Sequence, residues 1–243
     1  SVAEFHASQD APLYEPSDRL LARMNQQLLG HVHIVNRTMH FDSLRLPVAE
    51  IHHLGVLPEL RGRGLGGRLL QAAEAKIVDE GGELAMLRTS EPKFFARRGW
   101  IPCGRYCSST ATTRNVLACL ADVPPAETSP LSPHRPQPTV RLWRQVEQDA
   151  VAQLHQTNAR SSRGTFERNH EYWRWLVSRH GFERFYVAVD DDGRVAESPG
   201  DVKIVGYAVV KGARILELEV APECPGAAEQ LLARACSDAI ERG

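Results

Sequence analysis

The stretch from Val56 to Leu70 constrains this chain more than any other, because a strand pattern ends there in a turn that opens a helical pattern. Its letters are Val-Leu-Pro-Glu-Leu-Arg-Gly-Arg-Gly-Leu-Gly-Gly-Arg-Leu-Leu. Glycines permit positive φ and leave successive N–H groups accessible, while a helix N-terminus adds partial positive charge. Arg61, Arg63 and Arg68 add full positive charges. The junction therefore predicts a site for a phosphate or pyrophosphate group.

Two common phosphate-binding motifs can be compared with this turn. A Walker loop needs Lys followed by Ser or Thr at the helix start, and Gly66-Gly67-Arg68 excludes it. The letters Gly62-x-Gly64-x-x-Gly67 do satisfy the dinucleotide fingerprint, with Glu83 about 20 positions further on. That fingerprint follows a nearly continuous apolar strand, whereas residues 50–56 alternate polar and apolar side chains. A dinucleotide site is therefore a weaker interpretation than another kind of phosphate site. A glycine turn with a purely structural role is the other alternative.

Composition narrows the classes of partner and compartment. The chain has 243 residues, 42% of them hydrophobic, which is enough for one large or two ordinary domains. A formal net charge of -1 argues against a general affinity for nucleic acid or for an anionic membrane. Five cysteines without paired ligand spacing predict reduced thiols and no metal site. Without a leader pattern at residues 1–6 or an apolar run of membrane-spanning length, a cytoplasmic protein is expected.

The chain is predicted to form two domains joined by a Pro-rich, extended linker at residues 121–138. Hydrophobic periodicity and turn residues predict the elements of the first domain. They are a hairpin of residues 20–24 and 29–35, a strand at 48–57, a helix from Leu65 to Gly81-Gly82, a strand at 84–87, a short helix from Pro92 to Arg98, and a last strand beginning at Gly99.

The second half repeats this plan in weaker form. Its predicted elements are a strand at 140–143 followed by helical stretches, strands at 185–189, 205–210 and 215–220, and a helix from Ala227. Residues 56–59 and 220–223 share the pattern Val-x-Pro-Glu at the same strand end, which indicates an internal repeat. In the second copy Cys224-Pro225-Gly226 replaces the arginines, and Pro225 removes an N–H donor. No pyrophosphate site is expected there.

The pattern Arg61-x-x-Gly64-x-Gly66, preceded by Val56 and Pro58, resembles the acetyl-CoA pyrophosphate loop of the GCN5-related N-acetyltransferases (GNAT). The resemblance implies an α/β fold of the acyl-CoA N-acyltransferase type, an α+β arrangement with a mixed sheet. With its internal repeat, the chain is similar to tandem GNAT proteins in which one copy keeps the cofactor. Residues 1–120 would be the acetyl-CoA-binding domain and 139–243 a degenerate second domain. Both copies look incomplete against the family pattern.

The same resemblance implies roles for the residues of this strand and turn. The backbone N–H of Leu54 would polarise the acyl carbonyl, and Val56 would pair with pantetheine like an added strand. The full set of expected acetyl-CoA contacts is Leu54, Val56, Arg61, Gly62, Arg63, Gly64, Leu65, Gly66 and Gly67.

Acetyl transfer to an amine also needs a base, because free amines are mostly protonated at neutral pH. Glu50 lies eleven residues before Arg61, the spacing at which histone acetyltransferases of this superfamily place their catalytic Glu, so it is the first candidate. His52 is the second, since an imidazole needs little retuning for this task. Strand periodicity places Glu50, His52 and Leu54 on one face. A solvent-facing strand carboxylate is the structural alternative for Glu50.

The chain departs from the family where the leaving thiolate would be protonated. The usual Tyr is replaced by Phe95, which cannot donate a proton, so Tyr106 or a water molecule would have to substitute. The function expected is acetyl transfer from acetyl-CoA to a primary amine of a small-molecule or peptide acceptor. A non-catalytic acyl-CoA-binding module is the alternative, and a nucleotide-dependent oxidoreductase a weaker one.

Histidines on two neighbouring predicted strands, His31, His33, His52 and His53, could bind a metal or line a substrate pocket. Because no carboxylate or Cys support is evident for a metal site, none is predicted. The acceptor and the oligomeric state stay open.

Overall fold

The computed structural model describes residues 9–104, 107–122, 138–179, 181–190 and 203–242. The chain divides into two compact units. The first is Ser1–Cys107 with Ala159–Glu167, and the second is Ser108–Asn158 with Arg168–Gly243. The sequence analysis divided the chain at residues 121–138 into two copies of one fold. The two compact units are defined by contacts instead, so that division of the chain stays a prediction. Most of that linker lies outside the described residues.

The described residues form both helices and strands in each unit. In chain order the elements are β1 (Arg19–Met24), β2 (Gln27–Phe41), β3 (Leu44–Val56), α1 (Leu65–Asp79), β4 (Ala85–Leu87), α2 (Pro92–Ala96), α3 (Thr113–Asp122), β5 (Thr139–Leu142), α4 (Gln148–Arg160), β6 (Arg163–Phe166), α5 (His170–Ser178), β7 (Arg184–Val189), β8 (Ile204–Lys211), β9 (Arg214–Val220) and α6 (Gly226–Glu241).

The first unit is built on an antiparallel meander, in the order β1-β2-β3-β4, with β6 paired to the far end of β2. Its two tight turns contain Asn25 (φ 55°) and Asp42 (φ 53°), residue types that tolerate the left-handed conformation. The predicted hairpin is confirmed, although β2 and β3 extend further toward their shared turn than the pattern indicated. β4 joins β3 in parallel at residues 49–51, which makes the sheet mixed.

Helix α1 covers one face of this sheet. Its apolar stripe, Leu69, Leu70, Ala73 and Ile77, packs on Val32, Ile34, Ala49 and Ile51. The helix ends before Gly81 (φ 79°), and the N–H of Gly82 returns to the carbonyl of Ile77 at 2.8 Å. The sequence prediction for this helix is confirmed. Burying such a stripe is the main source of stability for a surface helix.

The predicted last strand of the first domain is wrong. Residues 99–104 contain no strand. Gly99 adopts φ 86° and turns the chain directly after α2. The Trp100 ring then packs edge to face on Phe95, its Nε1–H donates to Glu74 at 2.7 Å, and Ile101 is 84% exposed. An apolar Trp-Ile pair mimicked a strand pattern, but the preceding turn directs Trp100 back onto α1.

The second unit contains a four-stranded antiparallel sheet in the order β5-β7-β8-β9. Its core includes Tyr186, Val187, Val205, Tyr207 and Leu231, all fully buried. The predicted strands and the helix beginning near Ala227 are confirmed. Helix α3, which the pattern did not predict, packs on α6 in this unit. In the parts of both units that the structure describes, every helix is too short or too polar to cross a bilayer.

Two glycines occupy matching environments in the two sheets. A Cβ at Gly30 would meet the Gly55 carbonyl, Leu69 and Val56, and a Cβ at Gly206 would meet the Glu219 carbonyl, Leu231 and Val220. The register agrees, since Gly30 pairs with Val56 and Gly206 with Val220. In each sheet, therefore, a glycine lets the helix after the Val-x-Pro-Glu strand approach closely.

We expect Gly30→Ala to destabilise the first unit by about 1–3 kcal/mol, the usual cost of overpacking. The added Cβ would lie 2.6 Å from the backbone oxygen of Gly55, which cannot rotate away. Urea unfolding measures the change, with Gly104→Ala as the matched control because a Cβ there meets nothing within 4 Å. Equal midpoints for the two variants would contradict this packing argument.

Candidate functional site

Strand β3 runs past its parallel neighbour and leaves part of one edge unpaired. β4 pairs with β3 only at Ala49, Glu50 and Ile51, whereas β3 continues to Val56. In the described part of the chain, residues 52–56 therefore have no strand partner on the β4 side, and we call this unpaired edge the groove. An unpaired strand edge can bind an extended ligand as if it were another strand.

Backbone directions make Val56 part of this open edge. The N–H of Leu57 donates to the Leu29 carbonyl on β2 at 2.9 Å. Since successive residues of a strand direct their backbone polar groups to alternate sides, the N–H and carbonyl of Val56 face away from β2. The carbonyl accepts from Arg61 Nε at 3.3 Å. Val56 thus lies where the resemblance implied a pantetheine contact.

The glycine turn delivers the first amides of α1 to the end of this groove. Gly62 and Gly64 adopt φ of 77° and 84°, and a Cβ at either position would meet nothing within 4 Å. Gly64 is the N-cap residue, and the first bond back to it comes from the Arg68 N–H at 3.1 Å. The N–H groups of Leu65, Gly66 and Gly67 precede that bond, so the helix N-terminus can donate to an anion.

Exposed arginines surround this helix N-terminus. Arg61, Arg63 and Arg68, the arginines that the sequence analysis singled out, are all exposed. The structure adds Arg98, which follows α2, stacks 3.9 Å over the Phe94 ring and donates to the Phe94 carbonyl at 2.6 Å. A Cβ at Gly67 would lie 2.9 Å from this guanidinium. Sequence reasoning missed Arg98 because only the return of α2 toward α1 places it there.

A β-bulge in β3 changes which side chains share a face. His33 pairs with His52 while His31 pairs with Gly55, so β3 has one extra residue, and His53 adopts φ 51°. Ile51 belongs to the core under α1, and beyond the bulge Leu54 packs against that same core. The expectation that Leu54 shares a face with Glu50 and His52 is therefore wrong. One inserted residue reverses which side chains of the strand lie on each face, so simple alternation no longer predicts them.

Glu50 and His52 do come together. His52 Nε2 lies 3.1 Å from Glu50 Oε2, and Arg37 on β2 donates to the same oxygen at 3.4 Å. The Glu50 side chain is 15% exposed and the His52 side chain 38%. Burial raises the pKa of Glu50, but the contact and charge of His52 and the Arg37 guanidinium together lower it below its ordinary value. Glu50 is thus a held carboxylate, and His52 is the more accessible partner.

Two more histidines stand beside this pair on β2. Burial, then Arg19 and the neighbouring His52, His53 and His31, lower the pKa of His33 to about 4. Burial, Arg19 and His53 also lower the pKa of His31. His33 is 3% exposed, and neither of its ring nitrogens has a partner among the residues described. A buried neutral imidazole of this kind offers one donor and one acceptor to a bound molecule.

The position where the resemblance implied a Tyr is apolar here. Phe95 packs edge to face on Phe94 and Trp100 and belongs to the core beneath α1. It therefore has a packing role and offers no proton. Tyr106, the suggested substitute, lies outside the described residues.

In the second unit, the described residues bring together three side chains of types that can bind a metal ion. His155, Glu217 and Glu219 have ligand atoms within 4.8 Å of one another. However, Glu217 Oε1 accepts from Arg168 at 2.7 Å and from Tyr207 at 2.5 Å, while His155 Nδ1 lies 2.7 Å from Glu219. A cation would have to displace the Arg168 guanidinium. The cluster is a hydrogen-bonded network, and we assign it no metal.

Comparison with known proteins places this geometry in context. Residues 3–103 match the family model described as an acetyltransferase (GNAT) domain. No curated protein matches the chain by sequence.

Solved structures share the fold over most of the chain. A probable N-acyltransferase from Enterococcus faecalis is 15% identical, with a TM-score of 0.65 over 98% of this chain and 60% of its own. A GCN5-related N-acetyltransferase from Anabaena variabilis is 14% identical, with a TM-score of 0.62 over 92% of this chain and 53% of its own. Eis1 from Mycobacterium abscessus is 22% identical, with a TM-score of 0.51 over 86% of this chain and 50% of its own. The chain thus spans half to three fifths of these proteins, and its mixed α/β fold is that of the GNAT N-acyltransferases.

Proposed function

Because residues 3–103 match an acetyltransferase (GNAT) domain, we propose that the chain transfers an acetyl group from acetyl-CoA to a primary amine. The observation that carries this proposal is the unpaired edge of β3 at residues 52–56, which leads to the helix N-terminus after Gly64. An extended pantetheine and a pyrophosphate need these two features next to each other. A dinucleotide fingerprint turn follows a buried strand of a parallel sheet. Here β3 pairs antiparallel with β2 along most of its length and parallel with β4 only at residues 49–51, which disfavours that alternative.

The cofactor would be bound mainly by backbone groups. Its pyrophosphate would accept from the amides of Leu65, Gly66 and Gly67, with Arg61, Arg63 and Arg98 supplying charge. The Val56 N–H would pair with pantetheine, and the Leu54 N–H, just beyond the bulge, would donate to the acyl oxygen. Such a fixed donor stabilises the negative charge that develops when an amine attacks a thioester.

His52 and Glu50 would divide the work of the base. The His52 ring is the more exposed of the two, and its Nε2 is buried beside Glu50, so we assign to its Nδ1 the proton taken from the acceptor ammonium before attack. Glu50, held between Arg37 and His52, would orient the ring and stabilise the imidazolium that forms. The nitrogen then attacks the thioester carbon, and CoA leaves as its thiolate. His33 pairs with His52 across the strands, and its two ring nitrogens, unpartnered among the described residues, support a role in hydrogen bonding to the acceptor.

The thiolate can leave without a strong acid. Its ordinary pKa of about 8.5, by analogy with Cys, makes it a tolerable leaving group near neutral pH. The apolar packing of Phe95 is consistent with this, and Tyr106 or a water molecule remains the proposed proton donor.

We infer that the second unit is a copy of the first that has lost its cofactor loop. The matched environments of Gly30 and Gly206, both opposite the strand-end valine, support common ancestry. In the first unit residues 57–64 connect this valine to the helix, whereas in the second only residues 221–225 do. This shorter connection lacks the arginines and contains Pro225, so one acetyl-CoA per chain is expected.

A non-catalytic acyl-CoA-binding module is the second candidate, favoured by the apolar residue at position 95. Such a protein would bind acetyl-CoA through the same groove without releasing CoA. We propose a reducing, cytoplasmic setting for either candidate, because five cysteines without paired ligand spacing are typical of reduced thiols.

The test combines binding with product analysis. Calorimetry should give one acetyl-CoA per chain and no binding of NAD. Incubation with acetyl-CoA and a panel of polyamines, amino acids, aminoglycosides and lysine peptides should release CoA and an N-acetylated product. Both should be followed by mass spectrometry, because exposed Cys103, Cys107 and Cys119 would react with thiol dyes. Binding without release of CoA supports the non-catalytic module, and binding of NAD in place of acetyl-CoA would overturn both.

A further inference from the structure

A short segment from the second half of the sequence completes the first unit beside the proposed base. After α4 the chain runs along the β2–β3 turn as β6, pairing with Met39, His40 and Phe41. Backbone bonds tie both ends of this segment: the Asp42 N–H donates to the Ser162 carbonyl at 2.9 Å, and the Glu167 N–H donates to the Thr38 carbonyl at 2.8 Å. The segment is therefore held on β2 independently of its side chains.

Two ion pairs strengthen the same attachment. Arg163 Nε lies 3.0 Å from both carboxylate oxygens of Asp42. At the other end Arg45 donates to Glu167 through Nε at 3.1 Å and NH2 at 2.7 Å. Both pairs are exposed and individually weak. With the backbone bonds they enclose the last residue of β6, Phe166, between two anchored points.

Phe166 begins a line of contacts that ends at the proposed base. The Arg37 guanidinium carbon lies 3.9 Å from the centre of the Phe166 ring. Arg37 NH1 donates to Glu50 Oε2 at 3.4 Å, and His52 Nε2 lies 3.1 Å from that oxygen. The guanidinium thus lies over an aromatic face, and its NH1 is directed at the carboxylate that contacts His52.

We propose that Phe166 is a positioning residue for acetyl transfer: by stacking on Arg37 it holds the Glu50 carboxylate in the geometry that orients His52. The inference rests on the proposed function. It assigns a role in the first unit's chemistry to a residue outside the range that matches the GNAT domain, 3–103.

The physical reason is that the long Arg37 side chain has many rotamers, and in only some of them can its guanidinium donate to Glu50. A stacked guanidinium loses little further freedom when it donates to Glu50, because its plane is already set. The charged groups at Glu50 are His52 on its own strand and Arg37 from β2, while its partner on β4 is Met86. If Arg37 swings away, Glu50 loses the cation that repels its proton. Its carboxyl then titrates at higher pH and orients His52 less firmly.

The test compares Phe166→Leu with a matched control in the full chain. Phe41→Leu makes the same change on a ring that faces Arg163, 5.9 Å away, and not Arg37. Phe166→Tyr keeps the aromatic face. Arg37→Lys keeps the charge but loses the planar group, and it tests the same link should Phe166→Leu not fold. Glu50→Gln identifies the Glu50 carboxyl signal in carbon-labelled NMR spectra.

For Phe166→Leu and Arg37→Lys we expect the Glu50 carboxyl titration to move up by roughly half a pH unit. We also expect kcat/KM for the amine to fall about tenfold at neutral pH, because Glu50 orients His52 less firmly. Affinity for acetyl-CoA should stay within about twofold, because the cofactor turn is not involved. Phe166→Tyr and Phe41→Leu should behave like the unmodified chain.

Two results would overturn the positioning role: an unmoved Glu50 titration in both Phe166→Leu and Arg37→Lys, or an equal shift in Phe41→Leu. The NMR measurement needs no turnover, so it separates this inference from the proposed function. A shifted Glu50 signal in a chain that acetylates no amine would support the contact line while refuting acetyl transfer.

Discussion

Gly64→Val is expected to lower the affinity for acetyl-CoA by at least about 100-fold, or roughly 2.7 kcal/mol. Gly64 adopts φ 84° as the N-cap of α1, and a β-branched residue there is strongly strained. Relieving that strain rotates the turn and withdraws the amides of Leu65, Gly66 and Gly67 from the pyrophosphate. Adding Arg63→Glu, which places a negative charge at the same site, should remove measurable binding. Isothermal calorimetry with acetyl-CoA measures both changes.

The control for this variant lies at the other end of the same helix. Gly81 adopts φ 79°, and a Cβ there, as at Gly64, would meet nothing within 4 Å. Gly81→Val introduces a comparable strain and a comparable loss of stability while leaving the helix N-terminus intact. It should bind acetyl-CoA normally. If Gly64→Val bound as tightly as Gly81→Val in folded protein, the turn would not be the pyrophosphate site.

His52→Asn is expected to lower kcat/KM for the amine by about 100-fold or more at neutral pH, with acetyl-CoA affinity unchanged. Asn fills a similar space near the backbone but cannot take a proton. Activity should recover in part at high pH, where more of the amine is already neutral. Glu50→Gln should also lower the rate and should move the acid limb of the profile to lower pH, because the carboxylate no longer stabilises a protonated pair.

His53→Asn is the matched control for His52→Asn. His53 is exposed at φ 51°, a conformation that Asn tolerates, so this variant should fold and turn over normally. A normal rate for His52→Asn together with an inactive Glu50→Gln would make Glu50 the direct base. If neither variant changed the rate, proton removal by solvent or by a residue outside β3 would be the better account.

Local chemistry explains what could be predicted around the cofactor turn. The glycines at 62 and 64, the apolar spacing from Leu65 to Ile77 and the stop at Gly81-Gly82 all act within one or two helical turns. Their structural consequences do not depend on the rest of the chain, and α1 begins and ends where they indicate. The strands of the second unit could be predicted equally well, because apolar runs of four to eight residues between turn residues indicate strands without further context.

The arrangement of the proposed catalytic residues was harder to predict from the sequence, because it depends on pairing between strands. One extra residue in β3 opposite β2 moves Leu54 to the core face, and a sequence read alone has no partner strand against which to count that residue. The prediction of a strand beginning at Gly99 was wrong for a related reason. Its positive φ is allowed by the residue type but imposed by Trp100 returning to Phe95 and Glu74.

The sequence by itself determined the turn rich in glycine and arginine after Val56, the helix behind it and the different, Pro-containing connection after Val220, because each follows from the conformational freedom and charge of neighbouring residues. The tertiary structure alone decided that Arg98 reaches the helix N-terminus, that Glu50 is held between Arg37 and His52, and that Phe166 stacks on Arg37. These contacts join residues far apart in the chain. Their geometry depends on sheet register and on the path of the intervening chain, which no local pattern of residues specifies.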